Sequence, residues 1–370
     1  MVEYQPLYTT MESKTVFITG GAGYVGEMLA EQMGKRDDVK QIVLLDKEPQ
    51  SDYSKQLPKV TYIQQNMADD GWQEQVAKYE PDAVVATAWQ IRAMYGKADE
   101  QWRWNVEGSK KVFDFAFTTP SVKKLVYFST ASSYAARPTN TFDHYFTEAE
   151  GFRDDSYIYA HEKKVTEEAL KQMFDEQKAA GATLPQVSIV RPAAITGPRG
   201  RFMRIRFGLQ SALQGNLKGG FVNRLITLLT SFVPATKGWV RQFIHEDDVN
   251  DIVTKFVFEP MAWEYNAFNI TPVSEPVFAP DMAKAVGKKI LPIQPWMARV
   301  AFWFFWHATR GKIPTCPGSW RFYSYPVLMS GDKLKQIYQC QYGSKDAFQY
   351  TDGRYEDWVP EGSKRSKAKG

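Results

Sequence analysis

Tyr159 and Lys163 stand four residues apart in a stretch, Ser156–Glu176, whose pattern predicts a helix, so the two side chains share one face. An ammonium beside a phenol lowers the phenol pKa. The tyrosine can then pass a proton to or from a substrate oxygen near neutral pH. The lysine can also hydrogen-bond the ribose of a nicotinamide nucleotide. A Ser or Thr at the end of the preceding strand would complete the site by holding the substrate oxygen, and Ser129-Thr130-Ala131-Ser132-Ser133 sits there. A Tyr-x-x-x-Lys pair alone is also what an exposed helix face presents, so its meaning depends on the elements around it.

The element that gives it meaning is Thr15–Gly26. Val16, Phe17 and Ile18 read as a short buried strand; Gly20, Gly21, Gly23 and Gly26 follow, and Met28-Leu29-Ala30 opens a helical pattern. Strand, glycine turn and helix form the context of a dinucleotide-binding fingerprint. The first glycine allows the tight turn, the next lets backbone approach a pyrophosphate, and Gly26 lets the helix sit close to the sheet. The helix N-terminus then offers N–H groups and partial positive charge to the phosphates. The next apolar run, Gln41–Leu45, ends in Asp46, twenty residues beyond Gly26. An acid there takes the adenosine ribose hydroxyls and repels a 2′-phosphate, so the cofactor is read as NAD. A strand-end Asp that only caps a turn is the structural alternative, and the adjacent Lys47 leaves NADP open.

The first half alternates strands (Thr15–Thr19, Gln41–Asp46, Val60–Gln64, Ala83–Ala86, Leu125–Ser129, Gln186–Arg191) with helices, one of them Asn105–Phe117 with Val106, Val112, Phe113 and Phe115 as core positions. This predicts an α/β fold: a Rossmann-type, doubly wound parallel sheet with a smaller, mixed α/β C-terminal substrate domain. The expected domains are a disordered N-terminus over 1–13 and an NAD-binding domain over 14–196, to which 241–272 returns. The substrate-binding domain takes 197–240 and 273–350, and a basic disordered tail follows over 361–370. Ligands should gather at the carboxyl ends of the strands.

The 370 residues carry a net charge of only +4, so no nucleic-acid partner is expected. Two cysteines and four scattered histidines imply a reducing, cytoplasmic setting and no metal site. No run reaches the ~20 apolar residues of a membrane span. Two shorter runs, Leu225–Val233 and Val300–Trp306, are read as core, dimer interface or substrate pocket. The second run, flanked by Arg299, Arg310 and Lys312, also admits peripheral contact with a membrane surface.

Taken together these residues resemble the extended short-chain dehydrogenase/reductase, or NAD-dependent epimerase/dehydratase, family over roughly residues 14 to 350. The ordered marks are Thr19–Gly26, Asp46, Asn105-Val106-Glu107-Gly108, Ser129-Thr130 with Tyr134, Tyr159 with Lys163 and Glu167, Arg191-Pro192 with Gly197-Pro198, and Phe243–Asp248. The resemblance implies that Tyr159 is the general acid/base, Lys163 its activator and ribose ligand, and Thr130 the catalytic Ser/Thr, with Ser132 as the fallback. It implies cofactor contacts from Gly20, Gly23, Tyr24, Val25, Gly26, Asp46, Ala86, Ala88 and Pro192. Asn105 would order the strand ends under the site. A backbone N–H at Met67 would meet the adenine, and Asn66 stands where the family usually has Asp. Family members often dimerise through the helices carrying Asn105 and Tyr159, so a homodimer is expected.

The departures bear on the reaction. Ala131-Ser132 follow Thr130 where sugar 4,6-dehydratases carry Asp-Glu, which argues against a dehydratase. Ala194 stands where nucleotide-sugar epimerases usually carry a diphosphate-holding Asn. The expectation is therefore hydride transfer at a secondary alcohol or ketone, with an apolar, hydroxysteroid-like substrate. A nucleotide-sugar epimerase is the alternative, which Arg201, Arg204 and Arg206 would favour if they grip a phosphate. A non-catalytic NAD-binding sensor or scaffold is the other, although such a protein has no need of both Tyr159 and Lys163.

Overall fold

The computed structural model describes residues 13–153, 156–197, 232–285 and 288–349. Seven strands form one parallel sheet: β1 (Lys14–Thr19), β2 (Val39–Asp46), β3 (Val60–Gln64), β4 (Ala83–Ala86), β5 (Lys124–Phe128), β6 (Gln186–Pro192) and β7 (Tyr265–Ile270). Their order across the sheet is β7-β6-β5-β4-β1-β2-β3. The chain runs outward from β1 to β3, returns to the centre for β4, and then proceeds to β7 at the other edge. The reversal between β1 and β4 opens a crevice beyond their carboxyl ends, where sheets of this kind bind ligands.

Helices α1 (Tyr24–Gly34), α2 (Trp72–Ala77), α3 (Gly108–Thr118), α4 (Ile158–Ala179) and α5 (Glu246–Phe258) cover the sheet. Successive strand residues point to opposite faces. On one face Val16, Ile18, Ile42, Leu44 and Val85 pack with Leu29 and Met33 of α1 and Ile252 and Phe256 of α5. On the other, Phe17, Val43, Val84, Leu125 and Ile189 pack with Trp72, Phe113, Phe115 and Leu170 from α2, α3 and α4. Both faces are buried, which is why these strands read as unbroken apolar runs. Val106, Val112, Phe113 and Phe115 are all in the interior.

Most boundaries lie within a few residues of those expected. One difference is informative. The helix expected from Asn105 begins at Ala98 and passes through a π-helical turn, Arg103–Glu107, before α3. Its first turn, with Asp99 and Glu100, is polar and lacked an apolar stripe to mark it. Turns of this kind cluster at functional sites, and this one contains Asn105.

The smaller lobe is held by short strand pairs. Phe232–Ala235 runs parallel to Lys289–Pro292, Val240–Arg241 antiparallel to Val277–Phe278, and Phe243–His245 parallel to Ala194–Thr196. Tyr145–Phe146 pairs with Leu328–Met329, so the segment after β5 also reaches this lobe. Its own core gathers Trp239, Phe243, Val277, Met282 and Phe348. Its helices include α6 (Pro295–Ala308) and α7 (Ser319–Ser324). Arg201, Arg204, Arg206, Pro198 and the 361–370 tail lie outside the described residues. So do Leu225–Val233 apart from Phe232 and Val233, and the 1–13 segment apart from Ser13. Among the described residues no helix is long and apolar enough to cross a membrane.

Candidate active site

A cavity of about 670 Å³ occupies the crevice between the sheet and the smaller lobe. Its floor is the glycine turn. Gly20 has φ +80°, and a Cβ there would lie 2.8 Å from Thr87 Oγ1 and 2.9 Å from Ala88 N. A Cβ on Gly26 would lie 2.1 Å from Gly20 O, so α1 meets the turn at a distance only glycine permits. The turn is closed by Gly23 N–H donating to Gly20 O at 2.9 Å. No side chain caps the start of α1, which leaves its first amides and the positive end of its dipole to the cavity. Tyr24 Oη donates to the buried carboxylate of Glu246, tying the first residue of α1 to α5.

Asp46 ends β2 at the rim of this floor. Its Oδ2 accepts from Ala22 N at 3.0 Å and its Oδ1 from Glu48 N at 3.0 Å, so backbone amides fix the carboxylate beside the glycine turn. Lys47 pairs with Glu48 and lies over the Trp104 ring, 4.7 Å from its centroid. Further along the wall, Asn66 Oδ1 accepts from Ala68 N at 2.9 Å, and Met67 O accepts from Trp72 Nε1 at 3.1 Å. Ala88 lines the cavity, together with Thr87 and Trp89. Ala86 does not line it; it packs with the core beneath the sheet. The strand ends at Ala86, and it is the loop beyond it, from Thr87, that lines the crevice.

Asn105 is fully buried and acts as a brace. Its Oδ1 accepts from Gln90 N at 2.7 Å, and its Nδ2 donates to Gln90 O at 3.1 Å and to Glu162 Oε2 at 2.7 Å. The loop after β4 is thereby fastened to the first turns of α4. Burial pushes the Glu162 carboxyl above its ordinary pKa, against the bonds from Asn105 and Gln101 that lower it.

Tyr159 and Lys163 project from consecutive turns of α4 into the lining. The Tyr159 ring meets Trp89 edge-on at 6.4 Å and Tyr157 at 5.7 Å. Lys163 is buried. Its Nζ donates to Phe128 O and sits over the Trp89 ring, 3.7 Å from the centroid. Burial holds its pKa well below the usual lysine value, while Glu167 and Glu162 pull the other way. Thr130 Oγ1 accepts from Ser132 N at 3.1 Å, which leaves its hydroxyl hydrogen to donate into the site. Ser132 also lines the cavity, as does Pro192 at the end of β6.

Arg191 turns away from the cavity. Its guanidinium forms a buried pair with Glu167 and donates to Tyr134 Oη at 2.7 Å, and Tyr134 in turn donates to Asn269 Oδ1 at 2.8 Å. Arg191, Glu167 and Tyr134 therefore bind the elements behind the site together.

Ser129 belongs to the strand-end run expected at the site, whereas Trp89, Arg241, Phe322, Val327 and Met329 carried no clear signal in sequence. Ser129 Oγ and Trp89 Nε1 are buried polar atoms with no hydrogen-bond partner among the described residues, and both residues line the cavity. From the smaller lobe come Arg241, Phe322, Val327 and Met329. Among the described residues, Arg241 makes one weak hydrogen bond, 3.4 Å to Val240 O. Burial lowers its guanidinium pKa to about 10, so it remains a cation at neutral pH. The glycine cradle, the fixed Asp46 carboxylate and the orphaned Ser129 and Trp89 donors fit an extended dinucleotide with a polar head at the far end.

A sequence model of the NAD dependent epimerase/dehydratase family matches residues 16–271. No curated protein matches the chain in sequence. Among solved structures, the Bordetella bronchiseptica enzyme WbmG, in complexes with NAD and with NAD and UDP, is similar at 19% identity and a TM-score of 0.64, covering 95% of this chain and 97% of its own. A dTDP-glucose 4,6-dehydratase from Bacillus anthracis in complex with NAD is similar at 16% identity and a TM-score of 0.61, covering 92% of this chain and 95% of its own. UDP-glucose 4-epimerase from Thermotoga maritima with UDP-glucose is similar at 15% identity and a TM-score of 0.60, covering 91% of this chain and 97% of its own. At such identities the likeness is one of fold.

Proposed function

This chain belongs to the NAD dependent epimerase/dehydratase family, and we propose that it acts on a secondary alcohol of a phosphate-bearing small molecule, of which a nucleotide sugar is the class that suits the cavity. It is an NAD-dependent enzyme by family. NAD, when bound, accepts a hydride from a carbinol carbon and can return it. In this reading the glycine turn and the start of α1 hold the pyrophosphate, Asp46 the adenosine ribose, and Asn66 and Met67 the adenine edge. Tyr159 takes the hydroxyl proton, and Lys163 steadies the phenolate and the nicotinamide ribose. Thr130 donates to the substrate oxygen. Ser129 and Trp89 offer donors at the nicotinamide end.

Arg241 is the observation that carries the substrate class. A cation set in the cavity wall, with no carboxylate against it among the described residues, is costly unless an anion comes to it. The WbmG complex with UDP and the Thermotoga complex with UDP-glucose support the same class. Ala194 offers no amide for a diphosphate, so the charge on Arg241 would have to serve instead. A second reading, an apolar hydroxysteroid-like alcohol, draws on the wall formed by Phe322, Val327 and Met329.

The experiment offers nucleotide sugars, secondary alcohols and sterols separately to the protein with NAD. It follows NADH absorbance and sugar-nucleotide chromatography, with Tyr159→Phe as control. Charge-assisted bonds contribute about 1.5–3 kcal/mol, so Arg241→Gln should raise KM for a nucleotide sugar about ten- to a hundredfold. NADH from a sterol, with every nucleotide sugar unchanged, would install the apolar reading instead. NAD bound but no turnover on any panel would favour a sensor or scaffold. A homodimer through the helices carrying Asn105 and Tyr159 belongs to the same proposal and is tested by sedimentation.

A further inference from the structure

Helix α6 carries Trp296, Val300, Trp303 and Phe304 with 66%, 56%, 64% and 56% of their surface exposed. At 3.6 residues per turn these four fall within a sector of about 100°. The opposite side of the helix is anchored: Ala298 and Trp306 are buried, and Phe302 meets Tyr323 of α7 at 5.7 Å. A contiguous, largely aromatic band on a helix anchored along its other side needs an occupant.

Charge identifies it. From Asp281 to Asp332 the intervening sequence has seven Lys and Arg and no Asp or Glu. Arg299 stands on α6 itself, Lys289 shortly before it and Arg310 and Lys312 just after it, all exposed, and Leu291 is a further exposed apolar residue of the same segment. We propose that α6 is an interfacial helix that seats this face of the protein on an anionic lipid bilayer. Trp and Phe would sink to the headgroup boundary while the surrounding cations meet lipid phosphates. Fourteen residues rise only about 21 Å against a hydrocarbon core of about 30 Å, so the helix lies in the surface and does not cross it. A second copy is the weaker occupant, since a two-fold contact would set these cations against themselves with no carboxylate in the segment to meet them.

The placement also bears on the cavity. His307 Nδ1 and Tyr95 Oη are 3.1 Å apart, and Trp306 meets the Tyr95 ring at 5.4 Å. Tyr95 lies on the loop after β4 whose Trp89 and Ile91 line the cavity. A seated α6 therefore brings the cavity wall to the lipid surface. The inference rests on this surface alone and not on the identity of the substrate.

The test is co-sedimentation of the full chain with vesicles of phosphatidylcholine alone and with vesicles in which a third of the lipid is phosphatidylglycerol, at low and high salt. Wild type should pellet with the anionic vesicles, and less so at high salt. Trp296→Ser/Trp303→Ser should weaken that binding about tenfold or more, with an unchanged melting temperature because both side chains already face solvent. Arg299→Gln/Lys312→Gln should weaken it and flatten the salt dependence. Wild type left in the supernatant with anionic vesicles overturns the proposal. So does a dimer in analytical ultracentrifugation that the tryptophan variants convert to monomer, which would assign the face to a second copy.

Discussion

Replacing Gly26 with alanine tests whether the cavity floor is a cofactor cradle. The added methyl would stand 2.1 Å from Gly20 O, where ordinary contact begins near 3.4 Å, a shortfall of 1.3 Å. Helix α1 cannot retreat freely to supply it, because Leu29 and Met33 are fully buried against the sheet and α5. Overpacking of this kind costs about 1–3 kcal/mol. If that falls on the position of the first α1 amides relative to the turn, NAD affinity drops about fivefold to 150-fold. Isothermal titration of NAD into both proteins measures it, with thermal melting in parallel. Gly151→Ala, where a Cβ meets nothing within 4 Å, is the control and should leave both readings unchanged. A Gly26→Ala protein that binds NAD within about twofold of wild type and melts at the same temperature would refute the cradle.

Tyr159→Phe should abolish turnover while NAD still binds in the same titration; retained activity would remove Tyr159 from the acid/base role. Asp46→Ala should shift the ratio of NAD to NADP affinities toward NADP, and an unchanged ratio would mean that the carboxylate serves only the amides of Ala22 and Glu48. Glu167→Ala strands the Arg191 guanidinium in the interior and should cost about 3–5 kcal/mol in urea unfolding, a loss that a surface pair would not show. The Glu162 carboxyl has a raised folded pKa, so its protonation stabilises at low pH and that contribution is lost as pH rises through the folded value. Glu162→Gln keeps the acceptor and removes the titration. It should raise the melting temperature at neutral pH, with the gap closing toward about pH 4, and a gap independent of pH would refute the assignment.

Much of the fold was legible because it depends on local signals. The glycine turn announces itself through four glycines, Gly20, Gly21, Gly23 and Gly26, placed between an apolar run and a helical pattern. The strands show themselves as apolar runs because both faces of a parallel sheet are covered. The pair Tyr159 and Lys163 could be placed because four residues on a helix fix a shared face wherever the helix goes. Ala86 shows the limit. Its membership in a cofactor run came from resemblance, while β4 ends at Ala86 and it is the loop beyond the strand, with Thr87 and Ala88, that lines the cavity.

The illegible part lies where position comes from tertiary packing. Arg241 sits in a segment that reads as a strand-to-helix turn, and nothing in its neighbours says that it will line the cavity. That follows from Val240–Arg241 pairing with Val277–Phe278, and from Gln242 exchanging hydrogen bonds with Met329 at 2.9 and 2.7 Å. Arg191 is the mirror case. It stands next to Pro192 at the cavity, yet strand alternation sends it toward Glu167 and Tyr134. Two arginines thus differ in a way that their sequence positions do not show. One is neutralised by a buried carboxylate and holds the scaffold. The other lines the cavity with no carboxylate against it among the described residues, which is the ground on which a phosphate-bearing substrate is proposed.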